Sequence, residues 1–266
     1  MTKDKSSDVA VMVTGANSGI GRATAIRFAS AGARVALVGR DRTRLNHVAN
    51  EINSIPLKTG NPDETRCFPI VGDVTIESEA KLAVAETHER FGRLDVLINA
   101  AGQLSTGSIE NTTLADWDSM MNVNLRAVFH LMQLAVPHLS KHKGNIVNVS
   151  SVTGLRAFPN VLAYCVSKAA LDQLTRCAAL ELASAGVRVN AVNPGVVETG
   201  LHLRSGMNET EYAAFLERSG ATHPLGRTGN AEEVAELIFY LASEHAAWIT
   251  GVTYSIDGGR AQTCAR

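Results

Sequence analysis

Two kinds of hydrophobic pattern alternate along this chain. Short, near-continuous apolar runs rich in β-branched residues fall at 10–14, 34–38, 68–71, 96–99, 145–149, 187–192 and 252–256. Between them, apolar residues recur at helical spacing over 19–31, 41–54, 76–90, 114–140, 160–185 and 230–243. Runs that are apolar on successive residues suit strands covered by helices on both faces. The alternation therefore predicts an α/β chain, a seven-stranded parallel sheet with helices on both faces. Segment 55–66 carries two prolines and a glycine and reads as a surface loop. Segment 199–229 breaks the alternation; an insert of that length suits a lid or a substrate loop. With no repeat, low-complexity tract or dividing linker, residues 1–266 are expected to form a single domain.

Composition narrows the class. Net charge is −1, with both signs interspersed, which argues against a nucleic-acid or acidic-membrane binder. The four cysteines (Cys67, Cys165, Cys177, Cys264) form no C-x-x-C pair, so neither a disulfide framework nor a zinc site is expected. No run of 18 apolar residues occurs, and the polar start has no secretory character. The expectation is a cytoplasmic protein.

The first strand runs into Thr14-Gly15-Ala16-Asn17-Ser18-Gly19-Ile20-Gly21 and then a helix. Glycines at a helix N-terminus let backbone N–H groups approach a pyrophosphate, whose charge the helix dipole favours. The second strand ends at Gly39-Arg40-Asp41. A carboxylate at the Gly39 position would bind a ribose 2′-hydroxyl and repel a 2′-phosphate, whereas arginine binds the phosphate. NADP(H) is therefore favoured over NAD(H). A second reading makes Arg40 a solvated charge and Asp41 a helix N-cap. Arg42 and Arg44 add positive potential. Asp73 and Val74 follow the third strand, placed either to meet an adenine ring or, for Asp73, to cap a helix. Asn99-Ala100-Ala101-Gly102, after the fourth, suits close backbone approach to a ribose.

Farther along, Ser151 precedes Tyr164-Cys165-Val166-Ser167-Lys168. Tyr164 and Lys168 are four apart and share a helix face. A phenol near pKa 10 catalyses proton transfer poorly at neutral pH, and a nearby ammonium lowers its pKa. Ser151 can join them beside a substrate oxygen.

Together these motifs resemble the short-chain dehydrogenase/reductase family, over about residues 8 to 259. They are Thr14-Gly15-x-x-x-Gly19-x-Gly21, Asp73, Asn99-x-Ala101-Gly102, Asn124, Ser151, Tyr164-x-x-x-Lys168 and Pro194-Gly195. The resemblance implies a Rossmann fold and hydride transfer between nicotinamide and a carbonyl or secondary alcohol. It implies Tyr164 as the acid–base, Lys168 as its electrostatic partner and ribose ligand, and Ser151 as the group that polarises the substrate oxygen. Asn124 would hold a water in a proton relay. Pro194, Gly195, Val197 and Thr199 would seat the carboxamide. Gly15, Ser18, Gly19, Ile20, Gly21, Arg40, Asp73, Val74, Asn99, Ala101 and Gly102 would line the rest of the cofactor, with Tyr164 and Lys168 completing its site. No metal is implied. The family commonly has a second asparagine where this chain has Ala100. By the same analogy the long helices pack between subunits of a homotetramer.

Leu104, Leu155, Phe158, Leu201, Leu203 and Met207 are candidate pocket residues, favouring an apolar small-molecule substrate: a 3-oxoacyl chain, steroid, retinoid or xenobiotic carbonyl. 3-Oxoacyl carrier-protein reductases and soluble hydroxysteroid dehydrogenases are the nearest general likenesses. Rival readings are an NAD-dependent alcohol or hydroxysteroid dehydrogenase, a non-catalytic NADP(H)-binding sensor, and a Rossmann-like methyltransferase. His138 and His142 have metal-ligand spacing but read as a solvated face, Cys165 as core, and Ser150 as a strand-end hydroxyl bonded locally.

Overall fold

A computed structural model describes residues 9–55 and 66–263. The first eight residues, most of the expected 55–66 loop, Cys264 and the end of the C-terminal tail lie outside the described residues.

The strands are β1 (Ala10–Thr14), β2 (Arg34–Gly39), β3 (Cys67–Val71), β4 (Val96–Asn99), β5 (Asn145–Val149), β6 (Arg188–Pro194) and β7 (Thr253–Ile256). They form one seven-stranded sheet in the order β3-β2-β1-β4-β5-β6-β7, with every pairing parallel. This is the parallel sheet that the alternation predicted, in the doubly wound Rossmann order that the resemblance implied. Side chains along β1 divide by the strand period of two. Ala10 and Met12 enter one core with α3, α5 and α7, while Val11 and Val13 enter another with α1, α2 and α10.

Those helices are α1 (Gly19–Ser30), α2 (Arg42–Ser54), α3 (Glu77–Phe91), α4 (Leu114–Met121), α5 (Ala127–His142), α6 (Val152–Leu155), α7 (Leu162–Leu182), α8 (Leu201–Arg204), α9 (Glu209–Thr222) and α10 (Ala231–Ala242). The expected helix 114–140 is interrupted by one wide π turn, Asn122–Arg126, and the short α6 follows Ser151 unpredicted. Segment 199–229 holds α8 and α9. Asn208 caps α9 and Asn230 caps α10, each with a reciprocating glutamate, Glu211 and Glu233.

The order reverses between β1 and β4, and the strand carboxyl ends there open a crevice, the usual ligand position in such sheets. The first strand's turn, the loops after β2 to β6, and α7 to α9 all converge on it.

Candidate active site

The crevice is a cleft of about 750 Å³. At one end lies the glycine turn. Gly15 and Gly19 adopt left-handed backbone, φ 66° and 51°, where side chains are strained. A Cβ on Gly21 would stand 2.3 Å from the Gly15 carbonyl oxygen, and one on Gly15 2.8 Å from that of Ala100. The turn is thus a tightly packed stretch of backbone at the start of α1 that admits no side chain at these positions. Thr14 locks it from below: its hydroxyl accepts from the N–H groups of Ala100 and Ala101, both at 3.1 Å. That bond rigidifies the loop despite its missing second asparagine.

At the β2 end, Arg40 extends into solvent with its guanidinium 3.6 Å from the Asp73 carboxylate. Asp73 also accepts from the Thr75 N–H and hydroxyl, and these bonds with the Arg40 charge hold its pKa low against burial. Asp41 caps α2 by accepting from the Arg44 N–H at 3.0 Å. Asp41 is thus the helix cap of the second reading, and Arg40, solvent-exposed, lines the cleft at this end. Arg204 of α8 joins this end. Burial lowers its pKa first, and the positive charges of Arg44 and Arg40 lower it further.

At the other end stand Ser151, Tyr164 and Lys168, all buried. Ser151 caps α6 by accepting from the Thr153 N–H at 3.2 Å, which fixes its rotamer. Lys168 donates to the Val149 carbonyl at 2.8 Å, and its ammonium lies 5.7 Å from the Tyr164 ring centre. Burial pushes the Tyr164 phenol up to about 12, opposed by a hydrogen bond with Ser151. Burial lowers Lys168 to about 8, opposed by the Asp172 charge. Burial dominates the phenol, and Ser151, not Lys168, is the group that lowers it. The phenol is a held acid at neutral pH, not a phenolate.

Most of the expected residues line the cleft: Gly15, Ser18, Gly19, Ile20, Gly21, Arg40, Asp73, Val74, Ala101, Gly102, Ser151, Tyr164, Lys168, Pro194, Gly195, Val197 and Thr199. Two do not. Asn99 lies on the sheet face covered by α5 and α7, donating at 2.9 Å to Oδ1 of Asn148, which in turn bonds Thr175 of α7. Asn124, fully buried in the π turn, spends its side chain on Gln103, accepting from the N–H and donating to the carbonyl, each at 3.0 Å. It also reaches Ser167 Oγ at 3.1 Å, so its amide braces the loop beside Lys168. Among pocket candidates, Leu104, Phe158, Leu201 and Met207 line the cleft, whereas Leu155 and Leu203 are exposed elsewhere.

Three bland readings need adjustment. Ser150 donates to the Lys168 carbonyl at 3.3 Å, across to α7, not locally. His138 stacks on His88 of α3, ring centres 4.2 Å apart, while His142 is exposed; no metal-holding cluster occurs among the described residues. Cys165 is half-buried, its Sγ 3.9 Å from the Phe158 carbonyl.

Sequence reasoning missed a supporting layer. Asp172 is buried one helical turn beyond Lys168, on the face that carries Tyr164. The Asn193 amide donates to both Asp172 Oδ2 and the Ser151 carbonyl at 2.9 Å, tying the serine loop to α7. The signal was present, since 164, 168 and 172 continue one four-residue spacing. His223 is also buried. Its Nδ1 pairs with the Ser219 carbonyl at 2.6 Å, leaving Nε2 to accept from the Val196 N–H at 3.2 Å. It braces the backbone after Pro194-Gly195, and no local pattern disclosed it.

A protein-family model described as Enoyl-(Acyl carrier protein) reductase matches residues 15–261. The 3-oxoacyl-(acyl-carrier-protein) reductase FabG of Thermotoga maritima is 38% identical over 249 residues, covering 93% of this chain and 96% of that protein. The chain belongs to the short-chain dehydrogenase/reductase family. Like its relatives, this short-chain dehydrogenase/reductase is an NAD(P)-dependent oxidoreductase acting on alcohol or carbonyl groups. Another relative, the glucose 1-dehydrogenase of Gluconobacter oxydans, is 36% identical over 260 residues, 97% of this chain and 93% of its own length. A crystal structure of a Caenorhabditis elegans short-chain dehydrogenase/reductase of unknown function, with cofactor, superposes with a TM-score of 0.90 at 37% identity, covering 97% of both chains. No helix among the described residues is long and apolar enough to cross a membrane.

Proposed function

We propose that this chain is an NADP(H)-dependent carbonyl reductase whose substrate is a small molecule with an apolar body. The observation that carries the cofactor reading is Arg40 standing where the second strand ends in Gly39, with no carboxylate in that place. Arg44 and Arg204 add charge at the same end of the cleft. A phosphate ester there meets guanidinium forks in place of a carboxylate at the strand end, the Asp73 carboxylate being engaged by Arg40 and Thr75. The glycines let backbone pack closely at the N-terminus of α1, the arrangement a pyrophosphate site needs.

When bound, the nicotinamide supplies a hydride to the carbonyl carbon. The chain supplies the proton chemistry. Tyr164, protonated and buried, gives its phenolic proton to the oxygen on which negative charge develops. Ser151 Oγ, held by its own cap, hydrogen-bonds that oxygen and stabilises the charge. Lys168 places a positive charge beside the phenol as it becomes phenolate. Its Val149 bond keeps the ammonium pointed into the cleft. His223, Asn193 and Asn124 hold the three loops on which these groups sit. Thr199 covers Gly19, its Cγ2 3.0 Å from where a Cβ would stand, and Tyr212 of α9 donates to the Thr199 carbonyl at 2.9 Å. The α8–α9 segment is thereby tethered across the cofactor end.

We also propose a homo-oligomer, since Phe129, Val166 and Leu180 on α5 and α7 are exposed apolar residues.

Arg40→Asp tests the cofactor reading. It is expected to reverse the preference, lowering kcat/KM for NADPH and raising it for NADH. A preference left unchanged would remove Arg40 from 2′-phosphate recognition.

A further inference from the structure

The charged groups that line the cleft are unequal in sign. Arg40, Lys168, Arg204, Arg218 and Arg260 line it against a single carboxylate, Asp73, among the described residues. Yet the whole chain carries a net charge of −1. Asp73 stands at the Arg40 end and is already engaged by Arg40 and Thr75. Arg40 and Arg204 answer to the 2′-phosphate, and the Lys168 ammonium to Val149 and the phenol. Arg218 and Arg260 remain, with no ion-pair partner among the described residues.

Both belong to the substrate half. Arg260 lies 5.2 Å over the Phe158 ring, and the Phe158 carbonyl abuts Cys165, the neighbour of Tyr164. Arg218 follows Phe215 by three residues on α9 and precedes the cleft-lining Ser219 and Thr222, so all four share one helical stripe. That stripe is fixed beside the nicotinamide segment by the Ser219–His223–Val196 bonds. The same cleft is lined by the apolar Leu104, Phe158, Val161, Leu201, Met207 and Phe215, with the uncharged polar Thr106, Asn160 and Ser205 beside them. A mainly apolar chamber rimmed by two guanidinium groups and no carboxylate suits an amphiphilic anion.

We infer that the substrate is an apolar carbonyl compound bearing an oxyanion, a carboxylate or a phosphate ester, which Arg218 and Arg260 bind while its carbonyl faces Tyr164. The inference rests on reading this cleft as a carbonyl reductase site, and it adds the substrate's charge.

Binding separates the two. Hexanoate, hexyl phosphate and hexanamide are titrated calorimetrically into the NADP⁺-loaded full chain. The anions are expected to bind at least about tenfold more tightly than the amide, an advantage that shrinks with rising salt. The stronger of the two anions identifies the group. Arg218→Met/Arg260→Met is expected to erase the advantage. Arg218→Glu, a change at an exposed helix position that leaves the core untouched, is expected to cut it at least about tenfold. Equal binding of anions and amide, or an advantage that survives in both variants, would overturn the inference. Anion-selective binding without turnover of any carbonyl compound would keep the anion site and remove the catalytic reading. Turnover of neutral ketones without anion preference would do the reverse.

Discussion

Tyr164 and Lys168 are poised by burial more than by one another. A phenol near pKa 12 enters the reaction protonated, which suits proton donation in the direction of carbonyl reduction. Lys168, lowered to about 8, is mostly cationic at neutral pH and loses its charge just above it. The sign follows directly: raising pH removes the ammonium that stabilises the nascent phenolate. For reduction, kcat/KM is expected to be level near neutral pH and to fall as pH rises through about 8. Asp172 raises the Lys168 pKa through its negative charge. Asp172→Asn, nearly isosteric, therefore moves that alkaline limb to lower pH, as a pH–rate profile of the two proteins would read. An unmoved limb would make Asp172 a packing residue only.

The glycine turn is where one atom changes an element's behaviour. A Cβ at Gly21 meets the Gly15 carbonyl oxygen at 2.3 Å, and both partners are backbone, which cannot swing aside. Overpacking of this kind costs about 1–3 kcal/mol, and here it falls on the turn itself. Gly21→Ala is expected to weaken NADPH affinity by about tenfold or more, measured by fluorescence titration, while the far end of the sheet stays folded. The strands and main helices were legible because they repeat simple periods: near-continuous apolar runs for buried strands, three-to-four spacing for helices. The π turn at Asn122–Arg126 was not, because nothing in a continuous helical pattern marks where one extra residue enters a turn. Nor was the direction of Asn99, which a motif match assigns to the cofactor but the strand's pleat turns to the face covered by α5 and α7. Asn99, Asn145, Asn148, Asn190 and Asn193 are all buried in or beside apolar strands. Their partners come from distant segments, so no local pattern announces them. Tyr164, Lys168 and Asp172, by contrast, lie on one helix at one spacing, and that spacing is readable.

At the scale of the molecule, the sheet's crossover point gathers groups from nearly the whole length of the chain into one cleft. The glycine turn follows the first strand, Tyr164 and Lys168 ride on α7, and the α8–α9 segment lies against Gly19 through Thr199 and is bonded through His223 to the Val196 backbone. The two ends of the cleft therefore share one roof. The central claim is that Tyr164 is the proton donor in a hydride-transfer reaction at this cleft. It is tested most directly by following NADPH absorbance against a panel of ketones, anionic and neutral, with the native protein and with Tyr164→Phe. Turnover is expected of the native protein, with a loss of about a hundredfold or more in the variant and NADPH binding by the variant close to native. Turnover retained by Tyr164→Phe would contradict the claim.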